Sequence, residues 1–225
     1  MSKINYSKLN LIVLDYDRTV TDMDLNFDQK ILEPVSKLRE IGVKIAIVTG
    51  REWSSMAKLK GFFDAIAYEN GALIYANERK YKYYSVKNDE IRELLLSHGV
   101  KYTAGEVIIS ISMLDFERHK TMLEKYKNVE YIKNIGSVMI LPEGINKGSA
   151  LQKLLMLLNL NENYSVAIGD GENDTEMFKQ ARYKVCLENS VQVLKDISDL
   201  CIDKKASEGV FEFLKTVLSE RGVSK

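Results

Sequence analysis

The 225-residue chain carries 32 Lys+Arg against 32 Asp+Glu, so its net charge is zero, and 45% of its residues are hydrophobic. That balance excludes a global positive field able to gather nucleic acid or an anionic membrane. The apolar share supports a sizeable core, in one domain or in a core with a smaller insertion.

In chain order, Leu11-Ile12-Val13-Leu14 is a continuous apolar run, as expected of a strand buried on both faces of a parallel sheet. Ile31, Val35, Leu38 and Ile41 then recur at helical spacing, with Pro34 early in the segment and Gly42 closing it. A second strand is predicted over 44–48, a helix through 56–59 and a short third strand over 65–68. After Ala76 the texture changes. The pattern predicts a helix over 89–97, a strand over 106–112, a helix over 115–126, and strands over 129–132 and 138–141. These read together as a small α+β module. From Lys147 the first texture returns. It gives a Leu-rich helix, a strand over 166–168, a helix over 176–181, strands over 185–187 and 200–202, and a last helix over 210–218. The fold class expected is α/β: a Rossmann-like, doubly wound parallel sheet, residues 1–79 and 146–225, interrupted by an α+β cap over 80–145.

No apolar run reaches the roughly 18 residues of a spanning helix, and Met1-Ser2-Lys3-Ile4-Asn5-Tyr6 lacks a signal-peptide core. Cys186 and Cys201 are too few for a disulfide framework and read as small core hydrophobes; His98 and His119 cannot by themselves build a metal site. The sequence therefore reads as cytoplasmic, with any metal held by oxygen ligands.

Four polar clusters follow predicted strands or open predicted helices: Asp15-Tyr16-Asp17-Arg18-Thr19, Thr49-Gly50-Arg51, Lys147-Gly148, and Gly169-Asp170-Gly171-Glu172-Asn173-Asp174. In an open parallel sheet ligands bind at the carboxyl ends of strands, so these clusters can converge. Asp15 suits nucleophilic attack on phosphorus and Asp17 general acid–base work. Asp15, Asp17, Asp170 and Asp174 supply the hard oxygens that Mg²⁺ takes, with Asn173 supporting. Thr49, through its hydroxyl and N–H, Gly50 and Lys147 suit a phosphoryl group. The acidic glycine-rich loop is not an EF-hand, since position 12 from Asp170 is Ala181.

The series Asp-x-Asp-x-Thr, Thr-Gly, Lys and Gly-Asp-x-x-Asn-Asp resembles the haloacid dehalogenase (HAD) superfamily. Tyr68-Glu69-Asn70-Gly71-Ala72, Glu188-Asn189-Ser190 and Glu208-Gly209-Val210 are similar to landmarks of its Cof-type branch. The resemblance implies a Mg²⁺-dependent phosphomonoester hydrolase working through an aspartyl-phosphate on Asp15. It also implies a cap inserted between the second and third motifs, and a small phosphorylated metabolite as substrate, with archaeal phosphoglycolate phosphatases the nearest in size. Neither nucleic acid nor membrane is an expected partner, and monomer and homodimer both stay open. The other readings are a sugar-phosphate phosphatase resembling the sucrose phosphatases, a phosphomannomutase-like transferase, and a non-catalytic sensor.

Arg18 stands where this superfamily usually has Gly, and could reach the cap or hold an anionic substrate group. Trp53 could equally pack the following helix or wall the site. Tyr81, Tyr83 and Tyr84 read as a half-exposed cap strand, and His119 as a surface residue of a cap helix.

Overall fold

The computed structural model describes residues 4–85 and 88–223; Met1–Lys3 of the N-terminal reading lie outside them. The strands are β1 (Leu11–Asp15), β2 (Lys44–Val48), β3 (Ala65–Tyr68), β4 (Leu73–Ala76), β5 (Arg79–Lys82), β6 (Tyr102–Ala104), β7 (Ile109–Ser112), β8 (Val129–Asn134), β9 (Ser137–Pro142), β10 (Ser165–Gly169), β11 (Tyr183–Leu187) and β12 (Leu200–Ile202). The helices are α1 (Leu32–Glu40), α2 (Trp53–Met56), α3 (Asp89–Ser97), α4 (Met113–Leu123), α5 (Lys147–Leu157), α6 (Thr175–Gln180), α7 (Gln192–Ile197) and α8 (Ala206–Glu220).

Eight strands form one sheet in the order β12-β11-β10-β1-β2-β3-β4-β5, parallel from β12 to β3. Strand alternation sends successive residues to opposite faces. Ile12, Leu14, Ile45, Ile47 and Ile168 join one apolar layer with Val35 and Leu38 of α1 and Phe213 and Leu214 of α8. Leu11, Val13, Ala46, Val48 and Ala167 join the other, with Leu151 and Leu154 of α5 and Phe178 of α6. The chain winds outward from β1 through β2 and β3, then returns to pair β10 on the opposite side of β1. The crevice between β1 and β10 is therefore the topological switch point, where such sheets bind ligands.

A separate antiparallel sheet, β6-β7-β9-β8, has α3 and α4 on one face. Ile109, Ile111, Val138 and Ile140 point toward those helices. Their alternates Ser110, Ser137 and Met139 line the cavity over the core.

Several sequence expectations shift. β4 pairs antiparallel with β3 and β5 antiparallel with β4, so the core sheet runs to Lys82 and the expected 79/80 boundary cuts β5. Tyr81 consequently sits on the edge strand of the core sheet, not on a cap strand. The expected strand over 106–112 begins only at Ile109, and β6 precedes it. Pro34 falls in the first turn of α1, where helix N–H groups have no intrahelical partner. The cysteines are also corrected: Cys186 and Cys201 face each other in register on β11 and β12 and are joined as a disulfide, with Cys201 exposed. The parallel pairing of β11 with β12 brings together sulfurs that fifteen residues of sequence separate.

Candidate active site

Each catalytic candidate sits where a strand ends or a helix starts. Asp15 is the last residue of the fully buried β1. Asp170 and Asp174 occupy the turn after β10, another fully buried strand. Lys147 is the first residue of α5, whose start is fixed by a capping box between Asn146 and Ser149. Gly148 lets α5 lie tightly on α6: a Cβ there would stand 2.6 Å from the Glu176 carbonyl. That close approach seats Lys147 among the acids.

The Lys147 ammonium, 2% exposed, donates to a carboxylate oxygen of Asp15 and, at 2.6 Å, to Asp174 Oδ1. The other oxygen of Asp174 accepts the backbone N–H groups of Asp170 and Gly171, each at 3.0 Å. Asp170 Oδ2 accepts from Asn189 Nδ2 at 3.0 Å, and the Thr19 hydroxyl approaches Oδ1 at 3.5 Å. Asn189 is itself fixed, donating to the Arg18 carbonyl and accepting the Ala206 N–H.

Asp15, Asp170 and Asp174 each place a carboxylate oxygen within 4.8 Å of the others, all buried. One lysine against three acids leaves net negative charge in a poorly solvated place. The consequence is visible in the ionisation: burial first, then Asp174, push the Asp15 carboxyl up to about 7 against the pull of Lys147. Burial, then Asp15 and Asp174, push Asp170 up to about 8. For Lys147, burial works to lower the ammonium's pKa, and the two acids beside it outweigh burial and raise it above the ordinary lysine value. An all-oxygen, negatively charged pocket of this kind fits a hard divalent cation.

Asp17 departs from expectation. Its carboxylate is not among the clustered acids; Arg51 grips it through Nε at 2.9 and 3.0 Å and through Nη2 at 2.6 Å. The geometry therefore does not place the Asp17 side chain as a metal ligand. Arg51 also lies over the Tyr16 ring, 5.2 Å from its centroid. Thr49 is buried, but its N–H is spent on the Ala67 carbonyl at 2.9 Å, contrary to its expected role toward phosphate. Thr49 and Gly50 still line the cavity. Asn173 lines it too, beside the acids and outside their hydrogen bonds among the described residues.

Arg18 adopts the left-handed conformation, φ +55°, in the turn after β1. Gly takes that conformation freely, while any other residue carries strain. Arg18 lines the cavity, and its guanidinium makes no hydrogen bond or ion pair among the described residues. Trp53 packs instead on Tyr68 and Tyr75, with ring centroids 5.2 and 5.0 Å away, and does not line the cavity.

The cavity holds about 480 Å³. Its floor is the strand-end cluster, and its roof is the cap sheet with the 103–105 segment and Asn134-Ile135 at the β8–β9 turn. The residues that sequence reading left unassigned are Arg51, Asn189 and these roof residues. Arg51 had a signal: it follows Thr49-Gly50 just beyond β2, which pairs β1 in the register Asp15↔Val48.

The family model described as haloacid dehalogenase-like hydrolase matches residues 12–134 and 103–214. A phosphoglycolate phosphatase of Sulfurisphaera tokodaii is 35% identical, over 93% of this chain and 95% of its own length. Phosphoglycolate phosphatase 2 of Saccharolobus solfataricus is 32% identical, over 93% and 92%. A crystal structure from Thermoplasma acidophilum superposes with a TM-score of 0.81 at 20% identity, over 93% of this chain and 98% of that one, so the likeness there is one of fold. With sequence similarity running through every strand-end cluster of the site, the chain belongs to the haloacid dehalogenase-like hydrolases and is a phosphatase.

Proposed function

We propose that the chain hydrolyses 2-phosphoglycolate to glycolate and phosphate, with Mg²⁺ as its cation. The observation that carries this reading is the pairing of the buried Asp15–Lys147–Asp174 cluster with one uncommitted cation, Arg18, on the same cavity. Lysine and arginine line that cavity only as Arg18, Arg51 and Lys147 among the described residues, and the latter two are held by acids. A substrate bearing both phosphate and carboxylate needs a second positive partner, and in this reading Arg18 supplies it. The similar archaeal relatives that carry the phosphoglycolate phosphatase name support the same choice.

In this reading Asp15 attacks phosphorus; a P–O bond to Asp15 forms as the ester P–O bond breaks. Asp17 gives its proton to the departing glycolate oxygen. It then takes a proton from the water that attacks the aspartyl-phosphate; the Asp15–phosphorus bond breaks, phosphate is released, and Asp15 returns as a carboxylate and Asp17 as the protonated acid. Arg51 fixes the position of the Asp17 side chain through its Nε and Nη2 hydrogen bonds. Lys147 holds positive charge beside the attacking oxygen, where negative charge grows on the transferring group. Asp15, Asp170 and Asp174 would hold the Mg²⁺, which when bound supplies Lewis-acid polarisation of phosphoryl oxygens.

A second reading has its own support. Thr103, Ser110, Asn134 and Ser137 give the roof hydroxyl and amide groups but no charge, a lining that suits a polyhydroxylated leaving group. Phosphate release from a panel of phosphomonoesters, with Mg²⁺ or with EDTA, separates the two. Mg²⁺-dependent release concentrated on 2-phosphoglycolate supports the first; release spread over sugar phosphates replaces it with the second.

The role of Arg18 has a direct check. Arg18→Gly is expected to lower the ratio of kcat/KM for 2-phosphoglycolate to that for esters lacking a carboxylate by about 10- to 100-fold, the worth of a hydrogen bond to a charged group. An unchanged ratio would remove Arg18 from substrate recognition. The fold should tolerate the change, since Gly adopts φ +55° without strain.

A further inference from the structure

Glu69 is a carboxylate in the core of the molecule, 1% exposed, with no part in the chemistry derived above. Its partners are all in the cap. Oε1 accepts the N–H of Glu106 at 2.8 Å, and Oε2 accepts those of Val107 at 2.7 Å and Ile108 at 2.9 Å. Three successive amides aimed at one point form an anion-binding concavity, and here a core side chain fills it. The neighbouring glycine is shaped to that carboxylate: a Cβ on Gly105 would stand 2.5 Å from the Glu69 carboxyl group.

The loop is fastened on its other side as well. Arg92 donates to the carbonyls of Gly105 at 2.8 Å and Glu106 at 3.2 Å, and Asn88 Nδ2 reaches the Val107 carbonyl at 3.4 Å. The Glu106 side chain takes Lys82 at 2.9 Å and the Tyr84 hydroxyl. The loop therefore presents its N–H groups to the core and its carbonyls to the cap.

Glu69 is equally fixed from beneath. It and Asn70 hold left-handed backbone, φ +49° and +53°. Their N–H groups donate to the Arg51 and Thr49 carbonyls at 2.9 and 2.8 Å. One short turn thus touches the loop that carries Thr49 and Arg51 and, through a single carboxylate, the cap loop beside the roof residues Thr103, Ala104, Gly105 and Ile108. Backbone held in the left-handed region costs energy and persists where surrounding contacts over-determine it.

We infer that Glu69 is a positioning residue: its carboxylate registers the cap's 105–108 loop against the strand-end site, and so sets which leaving groups the cavity accepts. It touches no reacting atom. The inference rests on the phosphatase activity of the chain and not on which ester is preferred.

The test takes the full-length protein in three variants: Glu69→Ala, Glu69→Gln and, from the cap side, Gly105→Ala. Two readouts are followed. The first is the ratio of kcat/KM for the best ester of a phosphomonoester panel to that for p-nitrophenyl phosphate. The second is hydrogen exchange at the amides of residues 106–108, compared with those of β1 and β10. Glu69→Ala is expected to lower the ratio about tenfold, mainly through KM, and to lose protection at 106–108 while β1 and β10 keep theirs. Gly105→Ala should reproduce both changes, although Glu69 itself is intact. Glu69→Gln, which keeps an acceptor oxygen without the charge, should recover part of each. Retained protection in Glu69→Ala overturns the clamp. Lost protection with a ratio within twofold of the parent overturns its role in substrate choice. Exchange does not depend on turnover, so the clamp is decided even if the panel discards 2-phosphoglycolate.

Discussion

Asp15→Asn is expected to abolish phosphate release, by at least about four orders of magnitude in kcat, the scale seen when a covalent nucleophile is removed. The isosteric amide keeps the side chain's shape at the end of β1 but cannot form the aspartyl-phosphate. It still offers one oxygen toward the cluster, and Asp170 and Asp174 are untouched. Divalent-cation binding, read as a rise in Tm on adding Mg²⁺, should therefore persist in weakened form. Stability should not fall in proportion to activity. Burial and Asp174 push the Asp15 carboxyl up to about 7, so its ionised form is already disfavoured in the metal-free protein. Replacing it with a neutral group removes repulsion from Asp174 as well as attraction to Lys147. Rapid quench with a ³²P-labelled ester adds a separate check: the parent protein should show acid-stable label at Asp15, and the variant none. Turnover within tenfold of the parent would overturn the nucleophile assignment.

How much of this was legible in the sequence depends on how local the cause is. β1, β3 and β10 announce themselves as short apolar runs, because a strand buried on both faces needs apolar residues along its length. The strand-end clusters were legible for the same reason, since each immediately follows such a run or opens the helix after it. The β4–β5 hairpin was not. Its turn, Asn77-Glu78, places both residues at positive φ, +49° and +59°, without the Asn-Gly pair that marks a two-residue turn. β6 spans only Tyr102–Ala104, and two of its three residues are exposed. In the site, the missing knowledge was of partners. Arg51 and Asp17 are thirty-four residues apart and meet only because β1 and β2 are neighbours. Asn189 reaches Asp170 because the turn after β11 abuts the one after β10. Glu69 lay within a quoted motif, but nothing local says that its carboxylate ends in the cap. Pairings between elements follow from topology, and periodicity does not carry them.

Lys147→Met gives the other large effect, and its sign depends on pH and metal. Lysine's loss leaves Asp15, Asp170 and Asp174 without their buried counter-charge, while methionine keeps most of the volume. Removing one partner of a buried ion pair costs about 3–5 kcal/mol, and here one ammonium serves two acids. That cost exists only while the acids are ionised. In the parent protein the Asp15 and Asp170 carboxyls lie above the ordinary aspartate range, at about 7 and about 8. The folded state therefore binds more protons than the unfolded one between about pH 4 and pH 8, and metal-free stability falls as pH rises through that window. Lys147 opposes this fall by lowering both acids; without it the fall is steeper. The expected result is a Tm for metal-free Lys147→Met that falls further below the parent's at pH 8 than at pH 5. Millimolar Mg²⁺ should close much of the gap at pH 8, because binding to the folded state stabilises by mass action and no ammonium now competes for the acids. Activity should not return with the metal, since the charge beside the transferring phosphoryl group is gone; a loss of about 10²–10³ in kcat is the scale for one such electrostatic partner. Equal Tm losses at pH 5 and pH 8 would mean that Lys147 matters through packing alone. Mg²⁺-restored stability with kcat intact would place it with the metal-free fold and outside the chemistry.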